Sequence, residues 1–271
     1  MSAVEPPCLP LSSLPAESLR SVLGVLTDID DTLTAEGAIE PVALQALARL
    51  RDAGVPVIAI TGRPMGWSRP FARDWPIDAI VAENGAVALY RDRSGALQVD
   101  HAQPEAVRAH NAWRLREVAR RILDEVPGAT LARDSDGRVT DIAIDHAEFA
   151  RLDAARIEQV VALMREAGMR ATVSSIHVNG WFGEHDKPSG ARWIVQRLFG
   201  RALDDELDRW LYVGDSTNDQ AMFALFPASV GVANLRRFAD QLTVWPRYLA
   251  EGERGAGFAE VADRLLAARV G

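Results

Sequence analysis

Short apolar runs rich in β-branched residues alternate with stretches whose apolar positions recur at helical spacing. Val22 to Thr27 is the first such run, followed by Asp28-Ile29-Asp30-Asp31-Thr32-Leu33. Its length and branched side chains predict a strand buried on both faces, as in a parallel sheet covered by helices. Pro41 to Ala53 then places Val42, Leu44, Leu47 and Leu50 on one helical face and stops at Gly54, a C-terminal cap. Gly54 to Ile60 is a second apolar run, ending in Thr61-Gly62-Arg63-Pro64. Strand, helix and strand in this order predict a βαβ unit, whose right-handed crossover brings the residues after both strands to one edge. An interrupted helix over Trp67 to Trp75 precedes a third strand, Ala79 to Ala82, which leads into Glu83-Asn84-Gly85.

From residue 87 to residue 184 the pattern changes. Val87 to Arg91 and Ala96 to Val99 predict a hairpin around Asp92-Arg93-Ser94-Gly95. Pro104 to Glu125 predicts a long helix, and Ala129 to Arg133 and Val139 to Asp145 predict strands flanking a turn. Leu152 to Ala167 predicts a helix ended by Gly168, and Ala171 to Val178 a final strand. The first pattern then returns: a helix over Ser189 to Phe199, a strand at Trp210 to Val213, a helix over Asp219 to Leu225 and a strand at Ser229 to Val232. Residues 1–17 carry Pro6, Pro7, Pro10 and Pro15 and predict an irregular arm.

Three strands end in chemistry-bearing residues: Asp28 to Asp31, Thr61 to Arg63, and Gly214-Asp215-Ser216-Thr217-Asn218-Asp219. Ligands of open α/β sheets bind beyond the carboxyl ends of the strands. Acids gathered there repel one another unless a cation or a proton neutralises them. Lys187 falls in the interval between the second and third of these segments. On this ordered set, DxDDT, TGR, a lysine and GDxxND, the chain resembles the haloacid dehalogenase superfamily of phosphohydrolases, and a cap inserted after the third strand, with the Glu83-Asn84-Gly85 element, resembles its Cof-type and sugar-phosphatase subgroup. The resemblance runs from Ser18 to the C-terminus. Many relatives carry glycine where this chain has Asp31, at a position that varies in the superfamily.

The resemblance implies an α/β fold with a Rossmann-like parallel core over residues 18–86 and 185–271, and an inserted α/β cap over 87–184. It also implies a Mg²⁺ ion held by Asp28, the Asp30 backbone carbonyl and Asp215, with Asn218 and Asp219 holding its waters. Asp28 would be the nucleophile, forming an aspartyl-phosphate, and Asp30 the acid and base. Thr61, Gly62 and Lys187 would bind the phosphoryl group. Without the other motifs, Thr61 would read as a strand end bonding its own backbone, and Lys187 as a solvated lysine. Arg63 suits a phosphate contact and a structural salt bridge equally, and Asn84 facing the site stands on the same footing. His177, Asn179 and Trp181 share one face of a strand near the end of the cap, which fits a cleft wall and plain packing alike. Arg133 and Asp141 are weaker candidates. The expected activity is phosphatase action on a small phosphorylated metabolite, with a sugar phosphate as the subgroup's implication. A phosphosugar mutase and a non-catalytic phosphometabolite-binding protein are the competing readings.

Bulk composition narrows this picture little. A net charge of −8, with no run of lysine or arginine, argues against a nucleic-acid surface. No apolar run approaches membrane-spanning length. The single cysteine, Cys8, has no intramolecular partner, and the first seventeen residues lack the pattern of a secretory signal. A cytoplasmic location is therefore expected, and a homodimer is compatible with the sequence.

Overall fold

The computed structural model describes residues 7–270. Nine strands form one sheet, in the order Leu9–Pro10, Tyr248–Leu249, Ala228–Gly231, Trp210–Gly214, Gly24–Thr27, Val57–Ile60, Ala79–Ala82, Val87–Arg91 and Leu97–His101. The first seven run parallel, Val87–Arg91 runs against them, and Leu97–His101 pairs antiparallel with Val87–Arg91. Every residue of Gly24–Thr27, Val57–Ile60 and Ala79–Ala82 is buried, as their unbroken apolar runs require. Successive side chains point to opposite faces, so Val25 packs with Leu47, Leu50, Phe258 and Leu265, while Leu26 packs with Ile194, Tyr212 and Phe226. Burying each such side chain fully is worth roughly 1.5–3 kcal/mol.

A second, four-stranded antiparallel sheet is ordered Arg170–Val173, His177–Trp181, Asp141–Asp145 and Thr130–Leu131. The helices Glu105–Glu125 and Ala154–Glu166 cover it through a separate core that includes Leu115, Ile122, Val160 and Met164. No helix among the described residues is long and apolar enough to cross a membrane.

Three elements differ from the sequence expectation. The hairpin Val87–Arg91 and Leu97–His101, assigned above to the cap, continues the main sheet instead. Val87, Ala88 and Leu89 are fully buried there, and that burial, not the hairpin turn, decides which sheet they join. The single strand expected over Ala171 to Val178 is a hairpin, Arg170–Val173 and His177–Trp181. Ser174 makes the break: its hydroxyl accepts the amides of Ile176 and His177 and so closes a turn. Lastly, residues 1–6 of the arm lie outside the described residues, and the remainder is ordered rather than irregular. Leu9–Pro10 joins the sheet edge, Ala16–Arg20 is a short helix, and Leu11, Leu14 and Leu19 anchor both in the core.

Candidate active site

Four parallel strands deliver the motif residues to one edge. Asp28 follows Gly24–Thr27 and is fixed by its amide, which donates to the Val213 carbonyl of the neighbouring strand at 2.9 Å. Thr61 follows Val57–Ile60, Glu83 follows Ala79–Ala82, and Asp215 follows Trp210–Gly214. Lys187 opens the helix Lys187–Phe199, whose start is set by a capping box between Asp186 and Ser189. Gly85 lets this helix come close. Its φ is +105°, and a side chain there would collide with the Asp186 carbonyl.

Lys187 Nζ lies 2.6 Å from Asp28 Oδ1 and 2.7 Å from Asp219 Oδ1, and all three side chains are buried. Burial works against the ammonium, and Asp219 and Asp28 outweigh it, so its pKa stands above the ordinary lysine value. One cation does not balance the acids around it. Asp28, Asp215 and Asp219 each offer a carboxylate oxygen within 4.8 Å of the others. Burial pushes Asp28 up to about 8; Lys187 opposes this, and Asp219 and Asp30 reinforce it. Burial and repulsion from Asp28, Asp219 and Asp31 raise Asp215 well above the carboxylate range. Asp215 Oδ1 is buried and has no hydrogen-bond partner among the described residues. An orphaned carboxylate oxygen in a cluster short of positive charge is a fit for a hard divalent cation, which takes oxygen ligands.

Asp219, expected to hold water around a metal, has both oxygens engaged by the protein. Oδ1 accepts Lys187 Nζ and the Tyr212 hydroxyl, and Oδ2 accepts the amides of Asp215 and Ser216. It therefore orients Lys187 and folds the loop that presents Asp215. The Asn218 side-chain Oδ1 accepts the Ser216 hydroxyl at 3.0 Å. The Thr61 hydroxyl accepts the Arg63 amide at 3.0 Å, which leaves its proton to donate into the site. Gly62 presses against the Asn84 and Asn179 side chains. Asn84 adopts a left-handed conformation, φ +53°, and its Nδ2 is buried without a partner. It lines a cavity of about 440 Å³ with Lys187, Asn218 and Trp181.

Arg63 is a salt-bridge residue. Its guanidinium meets Asp30 at 2.8 Å, Asp134 at 3.1 Å and Glu148 at 2.8 Å, with the arginine side chain only 4% exposed. Burial opposes its charge, and Asp30 and Glu148 more than compensate. The latter two partners belong to the second sheet's surroundings, so Arg63 ties that layer to the loop carrying Asp30. Glu148 also pairs with His177 at 2.9 Å. Partial burial opposes its ionisation, yet His177 and Arg63 hold it down at about 2. Of the strand-face candidates, His177 and Asn179 line the cavity above Asp28. Trp181 is buried and donates its indole N–H to the His185 carbonyl. Asp141 is held by Arg138 and Asn179, and Arg133 stacks on Phe149 away from the cluster.

Several residues of this site carried no readable signal. Glu83, wholly buried, accepts the amides of Met65, Val139 and Thr140 and the Thr140 hydroxyl. Burial, with Asp141 nearby, pushes it up to about 7. Arg138 donates to the Gly62 carbonyl, as the strand-face candidate Asn179 also does. Tyr212 sits in an apolar strand and looks like core. A buried glutamate directly after an apolar strand, in Glu83-Asn84-Gly85, was the one available hint.

Comparison with known proteins fits this geometry. The family model of the haloacid dehalogenase-like hydrolases matches residues 25–117. A phosphoglycolate phosphatase of Methanothrix thermoacetophila is 29% identical over 248 residues, covering 90% of this chain and 97% of the relative. One from Pyrobaculum neutrophilum is 26% identical over 255 residues, covering 89% and 95%. Among solved structures, Thermoplasma acidophilum 0175 superposes with a TM-score of 0.67 at 15% identity, covering 90% of this chain and 98% of that one. The sucrose-phosphatase from Synechocystis, solved with sucrose and phosphate, gives 0.64 at 18% identity, covering 91% and 98%. Fold and site thus define an α/β protein with an acidic cluster at the carboxyl edge of its sheet. The chain is similar to the haloacid dehalogenase-like hydrolases, and its fold is that of the Cof-type hydrolases.

Proposed function

We propose that this protein is a Mg²⁺-dependent phosphatase of a small phosphorylated metabolite, working through an aspartyl-phosphate on Asp28. Phosphoric monoester hydrolysis is the activity named for its curated relatives. The observation that carries the reading is the buried contact of Asp28 with Lys187 beside the unpartnered oxygen of Asp215. Asp28 and Asp215 would hold the cation, which when bound would offset charge on the phosphoryl oxygens and the acids.

The chain's own residues account for the remaining steps. Lys187 neutralises charge on Asp28 and on the phosphoryl group, so that an anion can approach an anion. The Thr61 hydroxyl and the Gly62 amide donate to phosphoryl oxygens and fix the phosphorus in line with Asp28. The Asp28 carboxylate attacks, and the bond from phosphorus to the leaving oxygen breaks. Asp30 gives its proton to that oxygen and afterwards takes one from the water that cleaves the acyl-phosphate. Arg63, on the far side of Asp30, holds that side chain in place between steps.

Phosphate release from a panel of phosphomonoesters, measured with Mg²⁺ and with chelator, tests this. Release that needs the metal and is lost in Asp28→Asn is the expected result. Metal-independent release, or tight binding without turnover of any compound, would overturn it.

A further inference from the structure

A loop that binds an anion through N–H and O–H donors must turn its carbonyls elsewhere. In Thr61-Gly62-Arg63 each carbonyl has a separate holder. The Thr61 carbonyl accepts the Asn84 amide and the Arg63 carbonyl the Glu83 amide, both at 3.0 Å, so the end of the neighbouring strand holds these two. The Gly62 carbonyl is held from the second sheet's layer, by Arg138 Nη1 at 2.9 Å and Asn179 Nδ2 at 3.3 Å. The peptide that carries this carbonyl also carries the Arg63 amide, which donates to the Thr61 hydroxyl at 3.0 Å. A planar peptide turns as a unit, so fixing its carbonyl fixes its N–H. Gly62, without a side chain, offers little resistance to such a turn. A hydroxyl has one proton, and accepting the Arg63 amide limits where that proton points.

The grip on Gly62 is itself braced. Arg138 is buried, and its guanidinium meets Asp141 at 2.9 Å and Asp134 at 3.0 Å. Asn179 Nδ2 also donates to Asp141, at 3.1 Å, so one buried carboxylate aligns both donors. The first sheet answers next door, where Glu83 accepts the amides of Val139 and Thr140. Gly66 and Gly137 pass so close that a side chain on Gly66 would collide with the Gly137 backbone. These contacts dock the two layers beside Arg138. Its charge, meanwhile, is met by Asp134 and Asp141, which lie close to it in the chain. What it adds across the boundary is the bond to the Gly62 carbonyl.

We propose, resting on the phosphatase reading above, that Arg138 is a positioning residue: by holding the Gly62 carbonyl it sets the Gly62–Arg63 peptide, and through that peptide it aims the Thr61 hydroxyl at the phosphoryl group. A double-mutant cycle tests it, with hydrolysis of p-nitrophenyl phosphate in Mg²⁺ by the wild type, Arg138→Met, Thr61→Val and the double variant. Arg138→Met alone lowers kcat/KM by about ten- to hundredfold, the worth of one hydrogen bond to a charged group. In the Thr61→Val background the same change costs about twofold or less, because the hydroxyl it aims is gone. Asn179→Ala removes a donor to the same carbonyl and no charge. It carries a second cycle with Thr61→Val should Arg138→Met fail to fold, and its loss should vanish in the same way. Equal losses in both backgrounds would mean that these side chains only keep the layers together. That result, or no loss in either single variant, would overturn this inference and leave the phosphatase reading standing. No phosphate release by the wild type from this or any other phosphomonoester would overturn both.

Discussion

Replacing Lys187 by methionine keeps most of its volume and removes the cation that pairs with Asp28 and Asp219. Both carboxylates are nearly inaccessible, at 4% and 0% exposure. Breaking a buried pair by removing one partner costs about 3–5 kcal/mol. Proton uptake sets a ceiling on that loss. Protonating a carboxyl of ordinary aspartate pKa, 3.8, costs about 4 kcal/mol at pH 7 and about 1.6 kcal/mol at pH 5. Burial already holds Asp28 up to about 8, so the cost of one further carboxylate dominates. Lys187→Met should therefore lose about 4 kcal/mol at pH 7 in chelator, and less than half of that at pH 5. Urea denaturation at the two pH values reads both numbers. A penalty under about 1 kcal/mol at pH 7, as for a surface ion pair, or one that does not shrink in acid, would refute the reasoning.

Three further outcomes are expected. Metal-free protein should lose stability as pH rises from about 4 to about 8, because folded Asp28 keeps a proton that the unfolded chain releases; thermal melts should show Mg²⁺ raising Tm more at pH 8 than at pH 5. Asp28→Asn should abolish acid-stable phosphoenzyme, whereas Asp30→Asn should slow turnover of poor leaving groups by about 10²- to 10⁴-fold, read by comparing alkyl with p-nitrophenyl phosphate. Arg63→Met leaves Asp30, Asp134 and Glu148 without their shared cation and should cost about 3–5 kcal/mol; limited proteolysis should then cut faster between residues 134 and 148.

The parallel core was legible because its strands are buried on both faces and read as unbroken apolar runs. Asp28, Thr61 and Asp215 were legible for a related reason: each is the first polar residue after such a run. What escaped depends on contacts between distant segments. Nothing near Val87 says that its hairpin pairs with Ala79–Ala82 rather than with the second sheet. Apolar residues run through Ala171 to Val178 with only a serine pair to mark the turn, and a turn closed by one hydroxyl leaves little trace in periodicity. Arg63 could not be told from a phosphate ligand, since its three carboxylate partners come from separate places along the chain. Glu83 reads as a loop residue until Val139 and Thr140 are seen to donate to it.

The pairing of Gly24–Thr27 with Trp210–Gly214 has a consequence for the protein's birth on the ribosome. Thr27 finds its partner Val213 only after the whole intervening chain has been made. Until then one side of the central strand is a bare edge of unpaired N–H and C=O groups, the kind of surface that recruits other chains. Contacts this distant in sequence slow folding and prolong that exposure. The second sheet lies entirely within the intervening chain and can close first, so the nascent protein should hold a finished lid before it has a finished floor. Asp28 and Asp215 follow these two strands, so a product that ends before Asp215 cannot assemble the acidic cluster.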